Sequence, residues 1–168
     1  MQISRNMEKS LNDQIALEAY ASTSYLSMAS WCEVTGYAGA ASFFYAQSDE
    51  ERQHMLKIVH HLNEIGVPAK IPATKQPPTS YASLESIIKL ALKSEQTVSK
   101  AINSAVDLAL KEKDHASYAF LEWYVTEQTH EEAKFEAILQ KFDLIGRDKL
   151  AINEIDKYLG SMTSAEKT

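Results

Sequence analysis

Apolar residues recur at intervals of three and four along most of this chain. That spacing, close to the 3.6 residues of a helical turn, predicts four long helices. The first runs from about Ser4 to Glu33, with Leu11, Ile15, Ala19, Ser22, Leu26 and Ala29 along one stripe, and Gly36 and Gly39 break the pattern after it. The second runs from about Ala38 to Ile65, with Phe44, Ile58, Leu62 and Ile65 aligned, and stops at Gly66 and Pro68. All four prolines, Pro68, Pro72, Pro77 and Pro78, fall between Gly66 and about Ser83. This makes the segment a stiff, extended connection long enough to cross a bundle. Ser80 or Ser83 is placed to cap a third helix whose inner stripe is Ile88, Ala91, Val98, Ile102, Ala105 and Ala109. Asp114 is placed to cap a fourth, ending at Leu139 or Phe142, and Gly146 sets off a short amphipathic tail helix from Arg147 to Leu159. Two helical hairpins joined by one long crossover give an all-α four-helix bundle with a short fifth helix, a single domain over residues 1–168.

The polar residues on these stripes change the picture, because positions three, four and seven apart share one helical face. On the first helix Leu11, Ile15, Glu18, Ser22, Tyr25 and Ala29 align, so Glu18 points inward two turns from Tyr25. On the second, Glu51 and His54 lie with Phe44, Gln47, Ile58 and Ile65. On the third, Glu95 stands among apolar residues, and on the fourth Gln128 and Glu131 join Leu121, Tyr124, Phe135, Ile138 and Phe142. Burying one isolated, ionised carboxylate costs several kcal/mol, and four would consume much of the roughly 5–15 kcal/mol stability of a domain. No Lys or Arg lies on these stripes and His54 is their only histidine, so internal ion pairs are not expected to neutralise the set. Two divalent cations would match the charge of four glutamates. Oxygen-rich ligation with one imidazole suits iron or manganese, whereas structural zinc prefers thiolates and several histidines.

Composition narrows the remaining classes. With 45% hydrophobic and 24% charged residues, the chain of 168 residues reads as an ordinary soluble globular protein. Seventeen basic and 23 acidic residues, a net charge of −6 and no Lys/Arg run argue against a nucleic-acid surface. The polar stretch Met1 to Asn12 has no signal-like apolar core, and no segment approaches the roughly 20 apolar residues of a membrane span. A single cysteine, Cys32, excludes an intramolecular disulfide framework and fits a reducing compartment, the cytoplasm. Without a histidine at helical spacing it reads as a packed thiol. Met28 and Met55 read as core fillers, and His60, His61 and His115 as surface residues.

Four segments together resemble the ferritin family, specifically the non-haem bacterial ferritins, from Met1 to about Leu159. They are A-L-E-A-Y-A-S-T-S-Y-L with Glu18 and Tyr25, D-E-E-R-Q-H at Asp49 to His54, S-E-Q with Glu95, and W-Y-V-T-E-Q-T-H-E-E at Trp123 to Glu132. The resemblance implies a ferritin-like bundle with a ferroxidase centre. Glu18, Glu51 and His54 would hold a first iron, and Glu51, Glu95 and Glu131 a second. Gln128 would lie alongside, and Tyr25 would be a nearby redox-active hydrogen-bond donor. It further implies oxidation of Fe(II) to Fe(III) by dioxygen or hydrogen peroxide, and storage of ferric mineral in a cage of 24 copies with the tail helix toward its four-fold axes. The alternative within the same fold is a non-storing di-iron redox enzyme of the peroxidase kind. The tail helix and the absence of rubredoxin-like cysteine pairs favour storage, and a metal-free interaction bundle comes last.

Glu127 and His130 repeat the Glu-x-x-His spacing of Glu51 and His54, as a haem-containing bacterioferritin would require. They lie about 100° around the helix from the Gln128/Glu131 stripe, and Arg52 stands where a haem-ligating methionine is expected. No haem is therefore expected. By the same resemblance Glu50, Glu127 and His130 fall at a third iron site, with Glu131 shared. His130 replaces the glutamate usual there, and an imidazole is a weaker ligand than carboxylate for hard ferric iron. The family's acidic three-fold channel has no counterpart either, since Tyr118 and Leu121 align with its paired acids.

Overall fold

A computed structural model describes residues 3–165; the outermost residues of the expected 1–168 domain lie outside the described residues. The described chain forms α1 (Arg5–Thr35), α2 (Ala38–Glu64), α3 (Leu84–Glu112), α4 (His115–Ile145) and α5 (Lys149–Ala165), and contains no strand. Local chemistry sets most of these ends. The Ser4 hydroxyl accepts from the Met7 N–H at the start of α1 and donates to Glu112, tying that end to the last turn of α3. Gly36, at φ 91°, and Lys113, at φ 58°, close α1 and α3 in the left-handed conformation. Of the two serines expected to cap α3, Ser83 does so, in a capping box with Ser86. Asp114 caps α4 through the Ser117 N–H.

The crossover runs beside α1. Lys70 N–H donates to Asn12 and the Ser27 hydroxyl to the Pro78 carbonyl, so eight extended residues, about 25 Å, accompany fifteen helical ones, about 22 Å. The connection thus returns the chain to the far end of the bundle, and α3 descends antiparallel to α1. α1 packs against α2 and α3, α3 against α4, and α5 against α2 and α4.

Some expectations shift. α4 continues to Ile145, past Phe142, and α5 begins at Lys149 and continues past Leu159. Asp148, whose carboxylate accepts from the Leu150 and Ala151 N–H groups, sets the later start, while Arg147 turns back to Glu85 and Asp143. Leu26 is 48% exposed, because the inner stripe of α1 passes through Tyr25. Gly39 is no break but lies inside α2 where α5 crosses it. A Cβ on Gly39 would sit 1.9 Å from the Asp156 carbonyl oxygen, and one on Gly160 would sit 3.0 Å from the Gly39 Cα. The Asp156 carboxylate accepts from the Gly39 and Ala40 N–H groups at 3.2 and 2.8 Å. It therefore caps α2 from another helix, where Tyr37 provides no cap of its own.

The core is split in two. One apolar cluster includes Tyr25, Phe44, Ile88 and Phe135; the other includes Leu11, Ile58, Val98 and Tyr124. On every bundle helix the inward glutamate falls between residues of the two clusters, so Glu18, Glu51, Glu95 and Glu131 form one polar layer across an otherwise apolar bundle.

Candidate metal centre

That layer is sealed from water, none of the four glutamates being more than 1% exposed. Ligand atoms of Glu18, Glu51 and His54 lie within 4.8 Å of one another, and so do those of Glu51, Glu95 and Glu131. Glu51 belongs to both groups. Antiparallel packing of α1 with α2 and of α3 with α4 brings the four positions to one height, which no single helix could achieve.

The hydrogen bonds hold this layer from outside and leave its centre unsatisfied. Gln14 donates to Glu18 Oε1 at 2.7 Å, Tyr25 Oη donates to Glu95 Oε1, and Gln128 Nε2 donates to Glu95 Oε2 at 3.0 Å. The Tyr124 hydroxyl donates to the His54 carbonyl at 2.7 Å, fixing the backbone that carries the imidazole. Glu18 Oε2, both oxygens of Glu51, Glu131 Oε2 and His54 Nδ1 make no hydrogen bond, and Glu51 Oε2 faces His54 Nδ1 at 3.4 Å. Orphaned buried groups of this kind are costly, and convergent carboxylate oxygens with an imidazole nitrogen match the donors that a hard divalent cation takes.

Electrostatics agree with that geometry. Burial, with the charge of Glu51 next, raises the Glu18 carboxyl well above its usual range; burial, with Glu95 next, does the same to Glu51. Glu95 is raised mainly by burial, and Tyr25 is raised by burial and by facing Glu95. Glu131 is pushed by burial to about 7, against the opposing pull of Lys134.

Lys134 corrects the expectation that no cation accompanies the set. Its stem leaves α4 three residues beyond Glu131 and carries the ammonium to Glu131 Oε1 at 2.7 Å, Gln47 Oε1 at 3.2 Å and Glu50 Oε2 at 3.3 Å. Burial opposes its charge, yet Glu131 and Glu50 more than offset this and raise its pKa. Its Cα lies off the inward stripe, but a four-carbon stem lets the charge reach where the backbone does not point. The i, i+3 spacing from Glu131 was the available signal. Gln14 was missed similarly, its signal being the i, i+4 spacing to Glu18.

Around this centre the expected residues divide. Glu127 lies at the rim, with Oε1 3.8 Å from His54 Nε2, and Glu50, His54 and Glu127 also bring ligand atoms together. His130 stands apart, its side chain 69% exposed and its Nδ1 4.0 Å from Glu127. Trp123 packs edge-on against His54 with ring centroids 5.3 Å apart. His61 is not a free surface residue: it is half-buried and stacks on Phe120 at 3.8 Å, and burial lowers its pKa. His60 and His115 are exposed, Met28 is buried and Met55 is half-buried. Cys32 is buried, and burial, aided by Asp156, pushes its thiol to about 12.

Helical hairpins enclosing a buried layer of glutamates with one imidazole define the class of carboxylate-rich four-helix metalloproteins. The family model for the ferritin-like domain matches residues 8–145, and the chain belongs to the ferritin family. It is 40% identical over 162 residues to a probable bacterial non-heme ferritin-like protein of Haemophilus influenzae, covering 96% of this chain and 98% of that one. It is 36% identical over 165 residues to a bacterial non-heme ferritin of Campylobacter jejuni, covering 98% and 99%. Its fold matches an open pore ferritin of the archaeon Archaeoglobus fulgidus with a TM-score of 0.92 and 38% identity, covering 95% of this chain and 98% of that one. The expected all-α ferritin-like bundle and its kinship with non-haem bacterial ferritins both hold. Among the described residues, no helix is long and apolar enough to cross a membrane.

Proposed function

We propose that this chain stores iron and oxidises it on entry, acting as a ferroxidase on ferrous ions. The observation that carries this reading is the convergence of unpartnered oxygens of Glu18, Glu51 and Glu131 with His54 Nδ1 in a water-excluded layer. Iron is the substrate. Glu18, Glu51 and His54 hold one ferrous ion and Glu51, Glu95 and Glu131 the other, so Glu51 bridges them. Gln128 and Tyr25 orient Glu95 by hydrogen bonds. The protonated carboxyls release their protons as the cations bind.

Each ferrous ion gives up one electron. Dioxygen accepts the two electrons with two protons and leaves as hydrogen peroxide; peroxide as oxidant accepts two electrons with two protons and leaves as water. The chain contributes position and charge, since a fixed pair of one-electron donors makes a two-electron reduction a single local event. Membership of the ferritin family supports a closed homo-oligomeric shell, here assigned 24 copies, in which ferric product accumulates as mineral, and the single buried Cys32 fits the cytoplasm.

The test is aerobic addition of many ferrous ions per chain, followed by size-exclusion chromatography with light scattering. Soluble mineral within a very large particle is expected. Uptake limited to two ions in a small oligomer would instead mark a non-storing di-iron redox enzyme. His54→Ala is expected to leave helicity and assembly unchanged and to abolish the fast phase of oxidation. A wild-type rate in that variant would remove the assignment of the centre.

A further inference from the structure

Lys134 occupies the edge of the centre where a further cation would need its ligands. The ammonium is largely buried, its side chain 17% exposed, and it takes Glu131 Oε1 and Glu50 Oε2 together. Gln47 completes the cradle, accepting from Lys134 through Oε1 while its Nε2 donates to the same Glu50 oxygen. Two carboxylates from different helices and an amide thus converge on one positive charge, as they would on a metal ion.

The other groups at that edge offer no replacement set. His130 points to solvent. Glu50, His54 and Glu127 lie close enough to surround a cation, but a neutral imidazole carries one free lone pair. Nδ1 faces Glu51 Oε2 at 3.4 Å and Nε2 lies 3.8 Å from Glu127 Oε1, so an imidazole that gave its lone pair at Nδ1 to the first cation would have none left on the Glu127 side. His54 therefore cannot serve both groups at once.

We propose that the Lys134 ammonium is a tethered counter-ion standing in for a third metal ion between Glu50 and Glu131, which limits this centre to two cations. The proposal rests on the two-cation reading of the buried glutamates. Lys134 carries one charge where a metal would carry two or three, and it cannot leave. It steadies Glu131 and Glu50 in the empty protein and repels a third cation at the rim when the centre is filled.

Crystals of the parent chain, of Lys134→Met and of Lys134→Arg, soaked in Zn²⁺ as a redox-inert probe, separate the possibilities by the positions of anomalous scattering peaks. Two peaks among the buried glutamates are expected in the parent and in Lys134→Arg. A third peak, between Glu50 and Glu131, is expected only in Lys134→Met, a gain of one cation per chain. Lys134→Leu serves as a second uncharged variant should Lys134→Met fail to assemble. A third peak at that place in the parent, or two peaks unchanged in both uncharged variants, overturns the proposal and leaves the two-cation centre standing. No peak among Glu18, Glu51, Glu95 and Glu131 in the parent overturns the two-cation reading itself, and the proposal with it.

Discussion

Filling the centre with divalent cations should eject protons, and their number should fall as pH rises through neutrality. Glu131 gives the magnitude, since burial carries its carboxyl from 4.5 to about 7 despite the neighbouring Lys134. A cation requires the carboxylate, so occupancy of the second position displaces ~0.9 proton from Glu131 at about pH 6, ~0.5 at about pH 7 and ~0.1 at about pH 8. Through this residue alone, apparent affinity should rise about tenfold between about pH 6 and about pH 8, worth ~1.4 kcal/mol. Glu18 and Glu51, raised well above their usual range, add in the same direction. Stability follows the same protons. Between about 4.5 and about 7 the folded Glu131 holds a proton that the unfolded chain has released, so the metal-free fold weakens across that window by up to ~3 kcal/mol and recovers when a cation binds. Titration calorimetry of metal-free protein with Zn²⁺, in buffers of differing ionisation enthalpy at about pH 6 and about pH 8, reads the proton count directly. No release at the lower pH, or equal release at both, would falsify the claim that these carboxyls are held protonated by burial.

The same reasoning reverses the usual sign of a core mutation at Glu51. With neither oxygen partnered, Glu51→Leu should stabilise the metal-free protein by ~1–3 kcal/mol while abolishing paired metal binding; a lower unfolding midpoint than the parent in chelator would contradict it. At the tail-helix crossing, Gly39→Ala drives a methyl into the Asp156 carbonyl and should cost ~1–3 kcal/mol, visible as a lower melting temperature and looser α5 by hydrogen exchange. Asp156→Ala, which removes only the borrowed cap of α2, should cost ~1 kcal/mol by the same measurement.

Periodicity made the four bundle helices and their inward faces legible, because a helix is a local structure and its buried stripe is written at a spacing of three and four. The four acids stood out for the same reason. They break an apolar stripe at a place where burial without compensation is expensive. Ser83 and Asp114 were legible as caps because their side chains act within a single turn. The reach of Lys134 was not, nor the close approach of Gly39 to Gly160, nor the cap that Asp156 lends to α2. Each is a meeting of residues distant in sequence or placed beside the stripe.

Glu127 and His130 show the same division within one short motif. Helical phase set both outside the inward stripe, yet packing brought Glu127 to within 3.8 Å of His54 and left His130 in solvent. By itself the sequence determined the four long helices, most of their inward residues, and that four glutamates would share the interior, because these depend on local geometry and the cost of burying charge. Only the tertiary structure decided which oxygens lack partners, which nitrogen of His54 faces the centre, and that a lysine stands at its edge. Such contacts depend on how antiparallel helices are levelled against one another and on where flexible side chains end, and neither is fixed by the spacing of residues along a single helix.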